Sequence, residues 1–243
     1  MGSLLQSLLD RWEEGQKKSF ERNRTCELCN REVFEDEYFC QKCREKLPWN
    51  GEYVCPVCGR KTFRGAGICL ECKGSFPLYA RARAPLLYQD DVMGLIHAFK
   101  QEARYLSVAF GREMIRYLPE FPRACFLVSV PMTEEKRKKR GFNQADLLAT
   151  YVAEHSALPY RRELLIKVKE GEEQKGLSAR QRAKNVRGLF RLTDKSACKG
   201  KGVLIVDDVM TTGATVNEIA RLLIGAGATY VYVLTAACTP LKL

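Results

Sequence analysis

The sequence predicts an α/β protein in which a parallel sheet flanked by helices follows a small cysteine-rich N-terminal module. Three observations carry that expectation. Eight of the eleven cysteines fall between residues 26 and 72, at repeated spacings. From residue 86 onward, short apolar runs alternate with helical patterns, as in strands joined by right-handed crossovers. One of those runs, VLIV at 203–206, leads into two carboxylates and then a turn rich in Thr and Gly.

Composition narrows the class before any motif is considered. A chain of 243 residues suits one large domain or two unequal ones. With 46% hydrophobic and 28% charged residues it is neither fibrous nor disordered. No apolar run approaches the ~18 residues of a membrane helix, so no integral membrane association is expected. The opening MGSLLQSLLDRWEE lacks a basic leader region and is interrupted by Asp10. No secretory signal is expected, and the cytoplasm is the expected location. Forty Lys and Arg against 29 Asp and Glu leave a net charge of +11, which favours anionic partners.

Taken in chain order, Leu4, Leu5, Leu8, Leu9 and Trp12 recur at helical spacing. They predict a short amphipathic helix over residues 3–22, within an N-terminal segment 1–25. The cysteines follow as Cys26, Cys29, Cys40 and Cys43, then Cys55, Cys58, Cys69 and Cys72. Each quartet reads C-x2-C-x10-C-x2-C, so the module over 26–76 is an internal repeat. A C-x2-C turn sets two sulfurs along one edge of the tetrahedron that Zn²⁺ prefers. Two structural zinc sites are expected, paired sequentially or cross-braced, with no open position for chemistry. A disulfide framework is the competing reading, and a cytoplasmic chain argues against it. Cys125, Cys198 and Cys238 stand singly beside apolar runs and are expected to be buried small hydrophobes.

Pro77–Pro85 reads as the connection into the larger domain, 77–243. Val92, Leu95, Ile96 and Phe99 mark an amphipathic helix, and Phe126–Val130 a short strand. Asn143 caps a helix carrying Leu147, Leu148, Tyr151 and Val152. Val203–Val206 is a buried strand, Val216, Ile219, Ala220 and Leu223 mark another helix, and Thr229–Ala236 is the last strand. His97 and His155 have no partner pattern and are expected at the surface or in packing.

Ligands of parallel sheets bind beyond the carboxyl ends of the strands, which directs attention to residues after Val206. Asp207 and Asp208 sit there, followed by Thr211, Thr212, Gly213, Ala214 and Thr215. Free N–H groups at a helix start, with the positive end of its dipole, form an anion site, and the Thr hydroxyls add donors. Two like charges beside such a cradle lose stability unless hydroxyls or a metal use them.

VLIVDDVMTTGAT (203–215) resembles the phosphoribosyl-pyrophosphate (PRPP) motif of type I phosphoribosyltransferases. With RGFNQADLLA (140–149), QKGLSARQRAKNVRGLF (174–190) and AGATYVYVLTAA (226–237) behind the cysteine module, residues 26–243 resemble the ComF competence family, its ComFC-like members in particular. The resemblance implies a type I phosphoribosyltransferase-like sheet behind a double zinc ribbon. It assigns Asp207 and Asp208 to the ribose hydroxyls, and Thr211, Thr212, Gly213, Ala214 and Thr215 to the 5′-phosphate. Val130, Pro131, Met132 and Thr133 would approach the pyrophosphate with Arg140 close behind, Mg²⁺ would accompany PRPP, and Gln174, Arg182 and Asn185 would belong to a mobile lid. Ser129 stands where the family more often has Pro, and Lys167 where it often has Arg; both departures are expected to loosen the pyrophosphate end.

Lys136, Arg137, Lys138, Lys139 and Arg140 form an unbroken cationic run, and residues 161–191 hold ten Lys and Arg against four acids. Such segments suit a nucleic-acid backbone, and base stacking would need aromatics; Phe142 and Phe190 are the nearest, and both lie equally well for core packing. The resemblance adds single-stranded DNA as a partner, with other transformation proteins. Three functions follow: a PRPP-binding factor handling incoming single-stranded DNA, a working phosphoribosyltransferase with an unidentified acceptor, and a PRPP-sensing regulator.

Overall fold

In the computed structural model, residues 25–34, 37–170 and 185–241 are described. The amphipathic segment 3–22 lies outside them. The chain divides into two compact units between Leu47 and Pro48, a division that separates the two cysteine quartets. The expected boundary at residue 76 lies inside the second unit.

Both quartets are built the same way. In the first unit, Cys26 N–H bonds the Arg31 carbonyl at 2.7 Å and Asn30 N–H bonds the Cys26 carbonyl at 2.9 Å. Helix α1 (Gln41–Lys46) starts immediately after Cys40. In the second unit, Cys55 N–H bonds the Arg60 carbonyl and Gly59 N–H bonds the Cys55 carbonyl, both at 2.9 Å. Helix α2 (Leu70–Ser75) starts immediately after Cys69. The residue after the second cysteine of each quartet must turn left-handed, and it is Asn30 (φ 56°) or Gly59 (φ 68°), the residue types that tolerate this region.

In the second unit, four parallel strands β1 (Arg81–Arg83), β3 (Phe126–Ser129), β6 (Gly202–Met210) and β7 (Tyr230–Cys238) run in the order β1-β7-β6-β3. The two-residue β2 (Leu86–Leu87) continues along β7 after β1. An antiparallel hairpin, β4 (Leu165–Lys167) with β5 (Phe190–Leu192), stands apart from this sheet. Helices α3 (Asp90–Gln101), α4 (Leu106–Ile115), α5 (Glu134–Arg140), α6 (Gln144–Glu154) and α7 (Ala214–Gly225) complete the fold. Helix α6 packs on α4, β3 and β6, whereas α7 packs on β5, β6 and β7. The core beneath α7 joins Val216, Ile219 and Leu223 to Phe190, Ile205 and Val233, and also to Cys55, Cys58 and Cys72.

Most elements follow from the apolar pattern. Val92, Leu95, Ile96 and Phe99 are buried along α3, and Asn143 caps α6 by accepting from Ala145 N–H at 3.2 Å. Three expectations need correction. Pro77–Pro85 is more than a connection, because it supplies edge strand β1. β6 does not stop at Val206; it pairs with β7 through Met210, so the two carboxylates lie within the strand. Cys198 and Cys238 are buried, but Cys125 is exposed.

The second quartet is fastened to the sheet edge. Ala82 N–H donates to the Val57 carbonyl at 2.7 Å. The buried Asn50 side chain donates to the carbonyls of Gly59 (2.6 Å) and Ala84 (2.9 Å), bridging knuckle and strand. A Cβ on Gly59 would stand 2.2 Å from the Ala82 carbonyl oxygen. Gly59→Ala is therefore expected to destabilise the protein by about 1–3 kcal/mol, the scale of a strained non-glycine backbone. Urea unfolding measures it, and an unchanged midpoint would contradict this docking.

Candidate functional site

The carboxyl edge of the sheet gathers the loops after β3, β6 and β7. Val130 N–H bonds the Val206 carbonyl at 2.9 Å, which holds the turn 130–133 beside the residue preceding Asp207. Asp207 is in register with Thr235 of β7, and Thr239 N–H bonds the Met210 carbonyl at 3.1 Å.

The Asp207 and Asp208 carboxyls lie close enough to interact with each other directly. An Asp207 oxygen accepts the Asp208 N–H at 2.9 Å, and an Asp208 oxygen accepts the Val209 N–H at 2.7 Å. Lys100, at the end of α3, pairs with Asp208 at 2.8 Å. Burial, then the Asp208 charge, pushes the Asp207 carboxyl well above the usual range; the Asp208 N–H and Lys100 oppose this without prevailing. Lys100 is itself held in place, since Gln144 donates to its carbonyl at 3.3 Å and accepts from Arg140 at 2.8 Å. Arg140 thus reaches the acidic pair through Gln144 and Lys100. Sequence reasoning missed Lys100, because an isolated lysine on the polar side of an amphipathic helix carries no local signal.

After β6 the chain turns through Thr211, Thr212 and Gly213 into α7, with Gly213 at φ 77° as the residue before the helix. Thr211 and Thr212 are exposed and Gly213, Ala214 and Thr215 half-buried. The Thr211 carbonyl accepts from Arg60 and, at 3.1 Å, from Thr239 Oγ1. Among the described residues, nothing accepts from the N–H groups of Thr212 and Gly213.

Beside the β3 turn lies a cavity of about 290 Å³ lined by Ser129, Pro131, Met132, Asn143, Asp146 and Lys167, among others. Ser129 is itself held at this end. Its hydroxyl donates to Asp146 at 2.5 Å and lies 2.7 Å from the Tyr160 hydroxyl, which also donates to Asp146. Lys167 pairs with Glu170 at 2.9 Å, alongside Lys136 at 2.8 Å and Thr133. Burial opposes ionisation of Glu170, but hydrogen bonds from Lys136, Thr133 and Lys167 hold its carboxyl down at about 2.

The cationic run is helix α5, capped by Thr133 and ended by Gly141 in the left-handed region. Consecutive helical residues are about 100° apart, so five in a row encircle the axis instead of lining one face. Lys136 is engaged by Glu170, Arg137 by Glu134 at 3.3 Å and Arg140 by Gln144, while Lys138 and Lys139 are exposed. Phe142 and Phe190 cannot stack on bases, being only 8% and 6% exposed. Phe142 lies under the Arg104 guanidinium at 4.5 Å. The exposed aromatics include Phe63 (76%) and Phe76 (79%), in and just after the second quartet. Asn185 is half-buried ahead of β5, and Gln174 and Arg182 lie outside the described residues. His97 and His155 are exposed, the latter stacked on Tyr151.

The sulfurs resolve the pairing left open by the spacing. Cys26, Cys29, Cys40 and Cys43 converge within 4.8 Å, as do Cys55, Cys58, Cys69 and Cys72, so the quartets are sequential. Cys29 and Cys40 sulfurs are 3.6 Å apart and those of Cys58 and Cys69 3.7 Å. A tetrahedron of Zn–S bonds near 2.3 Å has edges of roughly 3.8 Å, so the donor sets fit zinc. Burial raises the Cys26 and Cys55 thiols, but converging backbone N–H groups outweigh it and bring them to about 6 and about 7, whereas a hydrogen bond with Cys29 raises Cys43 and burial raises Cys58 and Cys72. Four sulfurs would complete each site, making the metal structural.

A parallel sheet with paired acids on a central strand and a glycine turn into the next helix, joined to thiolate quartets, is the layout of a phosphoribosyltransferase-type domain with a zinc ribbon. The phosphoribosyl transferase domain family matches residues 138–239, and the double zinc ribbon domain family residues 23–73. The DNA utilization protein YhgH of Escherichia coli K12 is 31% identical over 215 residues, covering 86% of this chain and 87% of that protein. Competence protein F of Haemophilus influenzae is 35% identical over 122 residues, 50% of this chain and 52% of that protein. The chain belongs to this ComF family. The match to the YhgH of Salmonella typhi, at 41% identity, spans 46% of that protein's length. Among solved structures, the glutamine PRPP amidotransferase of B. subtilis complexed with ADP and GMP is 24% identical, with a TM-score of 0.36, over 54% of this chain and 26% of that one.

Two outcomes follow. Elemental analysis should return two zinc ions per chain, and Cys58→Ser should lower the count to one; iron, or one metal in the wild type, would contradict the donor sets. The folded protein holds the Asp207 proton more tightly than the unfolded chain, so stability is lost as pH rises from about 4 through the raised pKa. Asp207→Asn should thus be more stable than wild type at pH 7, with the gap closing near pH 4. Urea denaturation checks this, and a less stable variant at pH 7 would contradict it.

Proposed function

We propose that this protein binds PRPP at the carboxyl edge of its sheet and handles single-stranded DNA during natural transformation in the cytoplasm. The observation that carries the reading is the conjunction of Asp207 and Asp208 with the open N–H groups of the loop that follows them. The 5′-phosphate is received by the N-terminus of the twelve-residue α7, where amides and dipole both favour an anion. Thr211, Thr212 and Thr215 add hydroxyl donors. The ribose diol hydrogen-bonds to Asp207 and Asp208, and its arrival competes with Lys100 for Asp208. Pro131, Met132 and Arg140 border the pyrophosphate end.

Mg²⁺ enters this reading with its ligand. Among the described residues, the clusters of three or more groups able to hold a metal are the two cysteine quartets. The acidic pair therefore offers no complete cage, which agrees with an ion that keeps its waters and phosphate oxygens. When bound, it supplies charge neutralisation at the pyrophosphate.

For DNA, the reading rests on the relatives, a DNA utilization protein and a competence protein, and on the exposed cations of α5. Lys138 and Lys139 are the residues of the run with exposed side chains and no acidic partner among the described residues. A transferase reading needs an acceptor, and a pyrophosphate-release assay over a panel of bases and amines would detect one.

PRPP with Mg²⁺ near a hundredfold over Kd should raise the melting temperature by roughly 5–10 °C. Asp207→Ala/Asp208→Ala should abolish the rise. No shift in the wild type would overturn the PRPP reading. In filter binding to an oligonucleotide, Lys138→Ala/Lys139→Ala should reduce the slope of log K against log salt by about 1.4, two single-strand phosphate contacts. An unchanged slope would move the DNA surface away from α5.

A further inference from the structure

Arg60 is a buried cation outside the phosphate-binding motif, only 4% exposed. It follows the second cysteine knuckle, and its own carbonyl is held by Cys55 N–H at 2.9 Å. One guanidinium nitrogen pairs with Glu71, which lies between Cys69 and Cys72 on α2. Another donates to the Thr211 carbonyl, 151 residues away in sequence. Its Nε is buried without a partner. Arg60 also lines a cavity of about 90 Å³ with Tyr79, Thr212, Gly213, Ala214 and Asn217. Beside it, Leu78 N–H donates to Asn217 of α7 at 2.6 Å.

We propose that Arg60 is a positioning residue for the phosphate loop, using the second cysteine quartet as its anchor. No peptide bond here is cis, and a trans peptide unit points its C=O and N–H in opposite directions. The Thr211 carbonyl and the Thr212 N–H belong to one such unit. When Arg60 and Thr239 hold the carbonyl, the Thr212 N–H is aimed to the other side of the loop. A donor fixed before the ligand arrives loses less freedom on binding. The planar fork of Arg serves Glu71 and Thr211 together, which a lysine ammonium cannot match in geometry. The second quartet thereby serves the anion site as well as the fold.

This inference rests on the PRPP reading for its ligand but not for its mechanics, and the test separates the two. Arg60→Met keeps the length and leaves Glu71, whose side chain is 47% exposed, in contact with water. Glu71→Gln removes the anchor while keeping Arg60. Hydrogen–deuterium exchange of the full chain without ligand should show faster exchange over 211–215 in both variants, with 203–206 unchanged and two zinc ions retained. Calorimetry should show ribose 5-phosphate weakened about tenfold in Arg60→Met, the scale of one charged hydrogen bond, with pyrophosphate affinity kept within about twofold. Unaltered loop exchange, or equal losses for both ligands, would overturn the role of Arg60. A wild type that binds neither ligand would overturn the PRPP reading, while the exchange result still decides the positioning role.

Discussion

Two adjacent carboxylates on the strand at the centre of a buried sheet repel each other and lose hydration. Much of the surrounding structure compensates. The next backbone N–H satisfies an oxygen of each acid, and Lys100 supplies the counter-charge. Lys100 reaches Asp208 because α3 ends beside the β6 edge, and Gln144 secures that end through the carbonyls of Phe99 and Lys100. Gln144 in turn occupies the first position of α6, directly after its Asn143 cap. A conflict of charge on one strand thus accounts for the placement of a lysine, a glutamine and an arginine from three other segments. Natural folds keep such conflicts where a ligand resolves them.

The cysteine repeat has a second lesson. The two quartets share spacing, knuckle geometry and helix starts, yet they belong to different units. The second is stitched to edge strand β1 through Val57, Asn50 and Gly59. Its cysteines also enter the core beneath α7. Just after its knuckle, Arg60 bonds the Thr211 carbonyl in the loop before α7.

How much was legible in the sequence follows the range of the interactions. The quartets, the strand before Asp207, the turn into α7 and the Asn143 cap all depend on neighbours within a few residues, and each was readable. Edge strand β1 was not, because Arg-Ala-Arg between prolines has no strand pattern and is recruited by β7. Lys100, Arg60 and the Ser129–Asp146–Tyr160 cluster escaped because their partners are distant in sequence. The cationic run was visible as composition but not in its geometry: as a helix it encircles the axis, and Glu170 and Glu134 engage Lys136 and Arg137. For Phe142 and Phe190, stacking and core packing were equally open in the sequence, and the tertiary core decides for packing.

If one site spans the acidic pair of β6 and the loop leading into α7, a crystal structure of the full chain soaked with PRPP and Mg²⁺ should show the ribose hydroxyls on Asp207 and Asp208. It should also show the 5′-phosphate on the amides of 212–215 and Lys100 withdrawn from Asp208. PRPP bound elsewhere, or Lys100 still paired with Asp208 beneath a bound ribose, would contradict it.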